Sequence, residues 1–98
     1  MKTKKNSKIF VQIASYRDPQ LRHTIADMIK NAKRPEKLVL GIARQFKEED
    51  GFDDLSDYQD DVRFRILNIP YDESKGVCWA RNLTQQLYDG EQYTLQID

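Results

Sequence analysis

Apolar and polar positions along this chain sort into four short apolar runs and two stretches of helical period. Ile9, Phe10, Val11, Ile13 and Ala14, with Gln12 among them, predict a buried strand over 8–15. Leu21, Ile25, Met28, Ile29 and Ala32 share one face of a helix over 20–33. Asp18 is placed to cap it, Pro19 suits its first position, and Pro35 stops it. Leu38, Val39, Leu40 and Ile42 predict a second strand over 37–44, and alternation of Val62, Phe64 and Ile66 against Arg63 and Arg65 a third over 62–69. A second helix is predicted from 76 or 77 to 88, packing Trp79, Ala80, Leu83 and Leu87, with Gly90 as a left-handed cap. A fourth buried strand over 92–97 follows, and then Asp98.

The stretch 47–61 holds no sustained period and reads as a loop with room for one short helical turn. Its carboxylates Asp50, Asp53, Asp54 and Asp57 do not follow the calcium-loop spacing, so a solvated, mobile segment is expected. Strand, helix, strand, loop, strand, helix, strand is the order of an α/β fold: a mostly parallel, four-stranded, Rossmann-like sheet with helices on its faces. Ligands of such sheets bind at the carboxyl ends of the strands. That selects Tyr16, Arg17 and Asp18 after the first strand and Arg44 and Gln45 after the second. It also selects residues 70–76 after the third and Asp98 after the fourth.

Composition narrows the class. Ninety-eight residues make one domain at most, and 39% apolar with 33% charged residues is globular rather than disordered. Net charge is zero, so the chain lacks the overall basic field that nucleic-acid binding calls for. Cys78 is the single cysteine, which rules out an internal disulfide and fits a reducing, cytoplasmic compartment; it reads as a small buried hydrophobe. The longest apolar runs are far too short for a membrane span.

Three constellations carry candidate chemistry. Tyr16 offers a flat face for a base, beside the guanidinium of Arg17 and a carboxylate on Asp18 that could hold ribose hydroxyls; the competing reading has Asp18 as a cap and Arg17 solvated. The start of the second helix, Gly76 to Asn82, presents free N–H groups that favour phosphate, and Arg81 adds a fork of donors; the competing reading pairs Arg81 with a surface acid. Asp98 offers one carboxylate, suited to Mg²⁺ or Mn²⁺ but not a site by itself. His23 has no partner at ligand spacing, and no phosphate-loop, G-x-G-x-x-G or G-x-S-x-G signature occurs.

The segments Ala14-Ser15-Tyr16-Arg17-Asp18, Gly41-Ile42, Cys78-Trp79-Ala80-Arg81-Asn82, Gly90-Glu91 and Tyr93-Thr94-Leu95-Gln96-Ile97-Asp98 together resemble the GlcNAc-transferase family. Its members are GT-A glycosyltransferases related to cytoplasmic enzymes that attach GlcNAc to hydroxyproline. The resemblance implies that Ala14, Ser15, Tyr16 and Arg17 line a nucleotide pocket and that Gln45 contacts the base. Arg81 would hold the nucleotide or orient the metal-binding carboxylate, and Asp98 would open a motif for Mn²⁺ or Mg²⁺. The implied donor is a UDP-sugar, UDP-GlcNAc, and the acceptor a hydroxyl on protein or glycan. Family chains continue past this aspartate into a second metal ligand and an acceptor-binding half. The resemblance, which runs from Lys8, therefore implies an N-terminal fragment, a partial GT-A domain over 8–98 truncated at the metal motif; the basic stretch 1–7 before it reads as a disordered tail. Such a piece would be inactive alone and would tend to self-associate through its uncovered face. The alternative is a small α/β regulatory module without catalysis, in which Tyr16, Arg17 and Arg81 contact a protein or phosphorylated ligand.

Overall fold

The computed structural model describes residues 7–97. Of the tail expected over 1–7 only Ser7 falls within them, and Asp98 lies outside. The elements are β1 (Ile9–Tyr16), α1 (Leu21–Asn31), β2 (Leu38–Phe46), β3 (Phe64–Pro70), α2 (Val77–Gln85) and β4 (Tyr93–Ile97). Single 3₁₀ turns occur at Pro35–Lys37, Ser56–Tyr58 and Tyr71–Glu73. The strands form one sheet in the order β3-β2-β1-β4, with every neighbouring pair parallel. The α/β, Rossmann-like architecture read from the alternation is therefore present.

Strand position explains the apolar content. β2 is internal and covered on both faces, so every residue but its last is buried. Val11 and Ile13 of β1 join Leu38, Leu40 and Ile42 of β2 and Leu21 and Ile25 of α1 in the main core. Burying a side chain such as Leu21 or Ile25 contributes about 1.5–3 kcal/mol. Residues of opposite parity face α2. Phe10 meets the Tyr88 ring edge-on at 5.8 Å, and Gln12 lies 3.1 Å from the Thr84 hydroxyl. On this face Gly41 is required by close approach: a β-carbon there would collide with the Phe10 ring.

Several boundaries and environments differ from expectation. α1 begins at Leu21, after a turn in which the Gln20 N–H donates to Asp18 Oδ1 at 2.8 Å. Asp18 thus closes an Asx turn ahead of the helix rather than capping it, and Pro19 sits within that turn. α2 ends at Gln85, then winds out through the bonds Leu87 N–H to Thr84 carbonyl and Tyr88 N–H to Gln85 carbonyl. Gly90 has φ 81° but lies beyond this exit, in the bend before β4, so it is not the helix cap. The expected third strand loses its first two residues, and Val62 is 92% exposed. β4 is not buried: it ends the sheet order, paired with β1 alone among the described residues, and leaves Leu95 52% exposed. Cys78 is exposed rather than buried, because α2 turns Ala80 and Thr84, not Val77 and Cys78, toward the sheet.

The largest correction concerns the acidic segment, which is anchored rather than simply solvated. Asp53 and Leu55 are buried, and Leu55 belongs to the main core. Three arginines fasten this segment: Arg17 to Asp50, Arg44 to Asp53 and Arg22 to Asp57. Arg22 also donates to the Asp54 carbonyl at 2.6 Å. Among the described residues no helix is long and apolar enough to cross a membrane.

Candidate functional site

Parallel register brings the carboxyl ends of the strands to one edge, and with them the polar residues that follow each apolar run. Tyr16 of β1 stands beside Gln45 of β2, which stands beside Ile69 of β3. The Arg17 N–H donates to the Gln45 carbonyl at 2.8 Å, extending the ladder by one bond. The chain then turns at Arg17, whose φ of 45° lies in the left-handed region that non-glycine residues seldom adopt.

On the α2 face this edge holds a cleft of about 300 Å³, lined by Ala14, Tyr16, Gln45, Ser74, Gly76 and Val77. Each contributor has a local cause. Ala14 is small and leaves room between its larger neighbours. Tyr16, the last residue of β1, is 53% exposed and presents an aromatic ring. Gly76 has φ 99°, a conformation open to glycine, and from it the chain enters α2 at Val77. The first turn of α2 therefore borders the cleft with N–H groups that have no partner within the helix.

Gln45 is buried, and both ends of its amide are engaged. Its Nε2 donates to the Ser15 carbonyl at 2.9 Å, and its Oε1 accepts from the Ser74 hydroxyl. This makes Gln45 a strut that ties β1 to the segment leading into α2. One donor and one acceptor site of the amide remain beyond these two bonds.

The six sequence-selected nucleotide residues are not all brought together. Ala14, Tyr16 and Gln45 line the cleft. Ser15 alternates to the other face; its Oγ is buried without a hydrogen-bond partner among the described residues, and its contribution here is its carbonyl. Arg17 borders the edge and is held by Asp50 through Nε to Oδ2 at 2.7 Å and Nη2 to Oδ1 at 3.1 Å. Hydrogen bonding from Arg17 holds the Asp50 carboxyl below its ordinary range, and the same bond raises Arg17. The Arg17 guanidinium also lies 5.4 Å from the centroid of the Tyr71 ring, and Lys47 Nζ lies 5.6 Å from it. Arg81 sits half-buried on α2, and Asp98 lies outside the described residues. Among the described residues no cluster of three or more His, Cys, Asp or Glu is arranged to hold a metal ion.

Ser74, Gly76 and Val77 could be found from the chain, since they follow the third strand or open the second helix. Tyr71 falls in the same selected stretch, 70–76, whereas Asp50 and Lys47 could not be found. Their only signal was position in polar segments flanking strand ends, and what gathers them is the fold of the acidic segment.

A second cavity of about 330 Å³ opens on the opposite face, where Arg44 and Asn68 meet Ser56, Gln59 and Phe64. Arg44 donates to Asn68 Oδ1 at 2.9 Å and to Asp53 Oδ1 at 3.3 Å, leaving Arg44 Nε and Asp53 Oδ2 buried without hydrogen-bond partners.

A family model described as Glycosyltransferase (GlcNAc) matches residues 8–60 and 54–98. The chain belongs to that family. The two matches meet inside the acidic segment, so both the strand-end residues Ala14 to Arg17 and Gln45 and the α2 entry at Gly76 fall within the family's pattern. No curated protein and no solved structure matches this glycosyltransferase-family chain.

Proposed function

We propose that the α2-side cleft binds the nucleotide of a UDP-sugar, and that the chain provides the donor-binding part of an enzyme transferring the sugar, GlcNAc, to an acceptor hydroxyl. The observation that carries this reading is the cleft itself. It lies at the carboxyl ends of parallel strands, where α/β sheets take ligands. It joins an aromatic face at Tyr16 to the first turn of α2, in a chain of the GlcNAc glycosyltransferase family. The Tyr16 ring stacks on the base, and the N–H groups near Val77 face the phosphates. Gln45 holds Ser74 in place as a further hydroxyl for the ligand. In the transfer, the bond between the anomeric carbon and the diphosphate oxygen breaks. A bond from that carbon to the acceptor oxygen forms, UDP departs, and the acceptor hydroxyl gives up its proton.

A divalent cation, Mn²⁺ or Mg²⁺, belongs to the same reading and would neutralise charge on the departing diphosphate. The described residues do not by themselves form its site. Asp98 is the proposed ligand.

Titrating UDP into the chain while following amide shifts tests the reading. Movement is expected at Tyr16, Gln45, Ser74 and Val77, and Tyr16→Ala should weaken binding about tenfold, the loss of one stacked base. Mn²⁺ should tighten UDP binding to the natural chain and not to Asp98→Ala. Absence of any shift at the cleft would overturn the donor-site assignment.

A further inference from the structure

Arg17 follows the cleft residue Tyr16 directly, yet it is already committed. Two charge-assisted bonds join it to Asp50, a fork-to-carboxylate pairing that neutralises its charge and fixes its plane. Arg44 is committed likewise, to Asp53 and Asn68. Lys47 differs. It follows β2 two residues after Gln45, and it makes no ion pair among the described residues. It is close enough to Asp50 for its charge to lower that carboxyl's pKa. Arg17 and Lys47 both lie against Tyr71. Tyr71 in turn opens the 3₁₀ turn whose carbonyl accepts the Ser74 N–H at 3.2 Å, and Ser74 lines the cleft. Arg17, Asp50, Lys47 and Tyr71 thus form one cluster, two cations against one carboxylate, linked to the cleft wall.

We propose that Lys47 supplies the positive charge that meets the donor's diphosphate, while Arg17, neutralised by Asp50, is a positioning residue that holds Tyr71 and the Ser74 turn at the cleft edge. This rests on the donor-site reading above. It assigns the acidic segment a part in the site, through Asp50, and exchanges the duties that residue type alone would give the two cations.

The test compares UDP with uridine, which lacks the phosphates, by amide-shift titration of the 98-residue chain in Mn²⁺ buffer. Lys47→Met should weaken UDP roughly tenfold, one charge-assisted contact, and leave uridine unchanged. Asp50→Asn should weaken both ligands by the same factor, because the wall loosens while the phosphate contact stays. Asp57→Asn, which releases the other exposed arginine clasp of the same segment, should alter neither. The proposal is overturned if Lys47→Met affects the two ligands equally or not at all. It is also overturned if Asp50→Asn tightens UDP relative to uridine, for then Arg17 is a phosphate ligand held back by Asp50. Natural chain that binds neither ligand would overturn the donor-site reading itself. Natural chain that binds both, with Lys47→Met indifferent, would overturn this assignment alone.

Discussion

A β-carbon added at Gly41 would strike the Phe10 ring and reach within 3.4 Å of Leu87 Cβ, just past the end of α2. Gly41→Ala is therefore expected to destabilise the domain by about 1–3 kcal/mol, the range for overpacking a filled core. Urea unfolding followed by Trp79 fluorescence would measure it, and an unchanged midpoint would show that Phe10 has room to move. Asp53 makes a different case. It is fully buried in a segment whose composition reads as solvent-exposed, and Arg44 bonds only one of its oxygens. Asp53→Ala leaves the Arg44 charge buried without its counter-ion, with an expected cost of about 3–5 kcal/mol. A similar cost from Asp57→Ala, whose pair with Arg22 is largely exposed, would contradict this ranking of the clasps.

At the scale of elements, the exit from α2 is fixed by a strand that is distant in sequence. Arg65 of β3 donates to the Leu87 carbonyl at 2.7 Å and to both oxygens of Glu91 at 3.2 and 2.9 Å. Glu91 also accepts the Asp89 N–H, while the Tyr88 hydroxyl donates to the Glu91 carbonyl. Burial pushes the Glu91 carboxyl upward, but the bonds from Arg65 and Asp89 together with the Arg65 charge outweigh it, and the net shift is downward. Glu91→Gln should therefore free the 86–92 connection, read as faster amide exchange there while the β1 and β2 amides stay protected. Periodicity explains why this link was hidden. Arg65 alternates with apolar neighbours and reads as a solvated position, whereas the α2 exit partly covers the sheet's second face and turns it into a half-buried partner of the buried Glu91. α2 ends early for a related reason: Leu87 and Tyr88 are drawn into packing against Gly41 and Phe10 instead of continuing the helix.

For the molecule as a whole, arginine–carboxylate pairs set the acid response. Arginine partners hold the carboxyls of Asp50, Asp57 and Asp61 below 3.8 and help to hold Glu91 below 4.5. A carboxylate with a depressed folded pKa adds stability above its unfolded value and loses it as pH falls through the folded one. Thermal midpoints should accordingly show no loss from these groups between pH 7 and about 5, then fall steeply below about 4. Glu91→Gln should flatten that fall. A midpoint that declines steadily from pH 7 would point to another titrating group. The same pairs mark the limit of what the chain discloses when read linearly. Four parallel strands, two helices and the strand-end residues Tyr16, Gln45 and Gly76 were legible, because periodicity and the α/β alternation depend on neighbours a few positions apart. The sequence by itself also determined the family, through segments at Ala14 to Asp18 and Cys78 to Asn82. Only the tertiary structure decided which side chains share a face and which charges are spent. It turned Ser15 away from the cleft, tied both ends of the Gln45 amide, and left β4 exposed at an edge. It also drew the acidic segment back onto Arg17, Arg44 and Arg22. The clasps of Arg17 on Asp50 and Arg22 on Asp57, and the bonds of Gln45, join residues about thirty positions apart, whose meeting is set by sheet order and by the burial of Leu55 and Asp53, and no local pattern of hydrophobic and polar positions encodes that meeting.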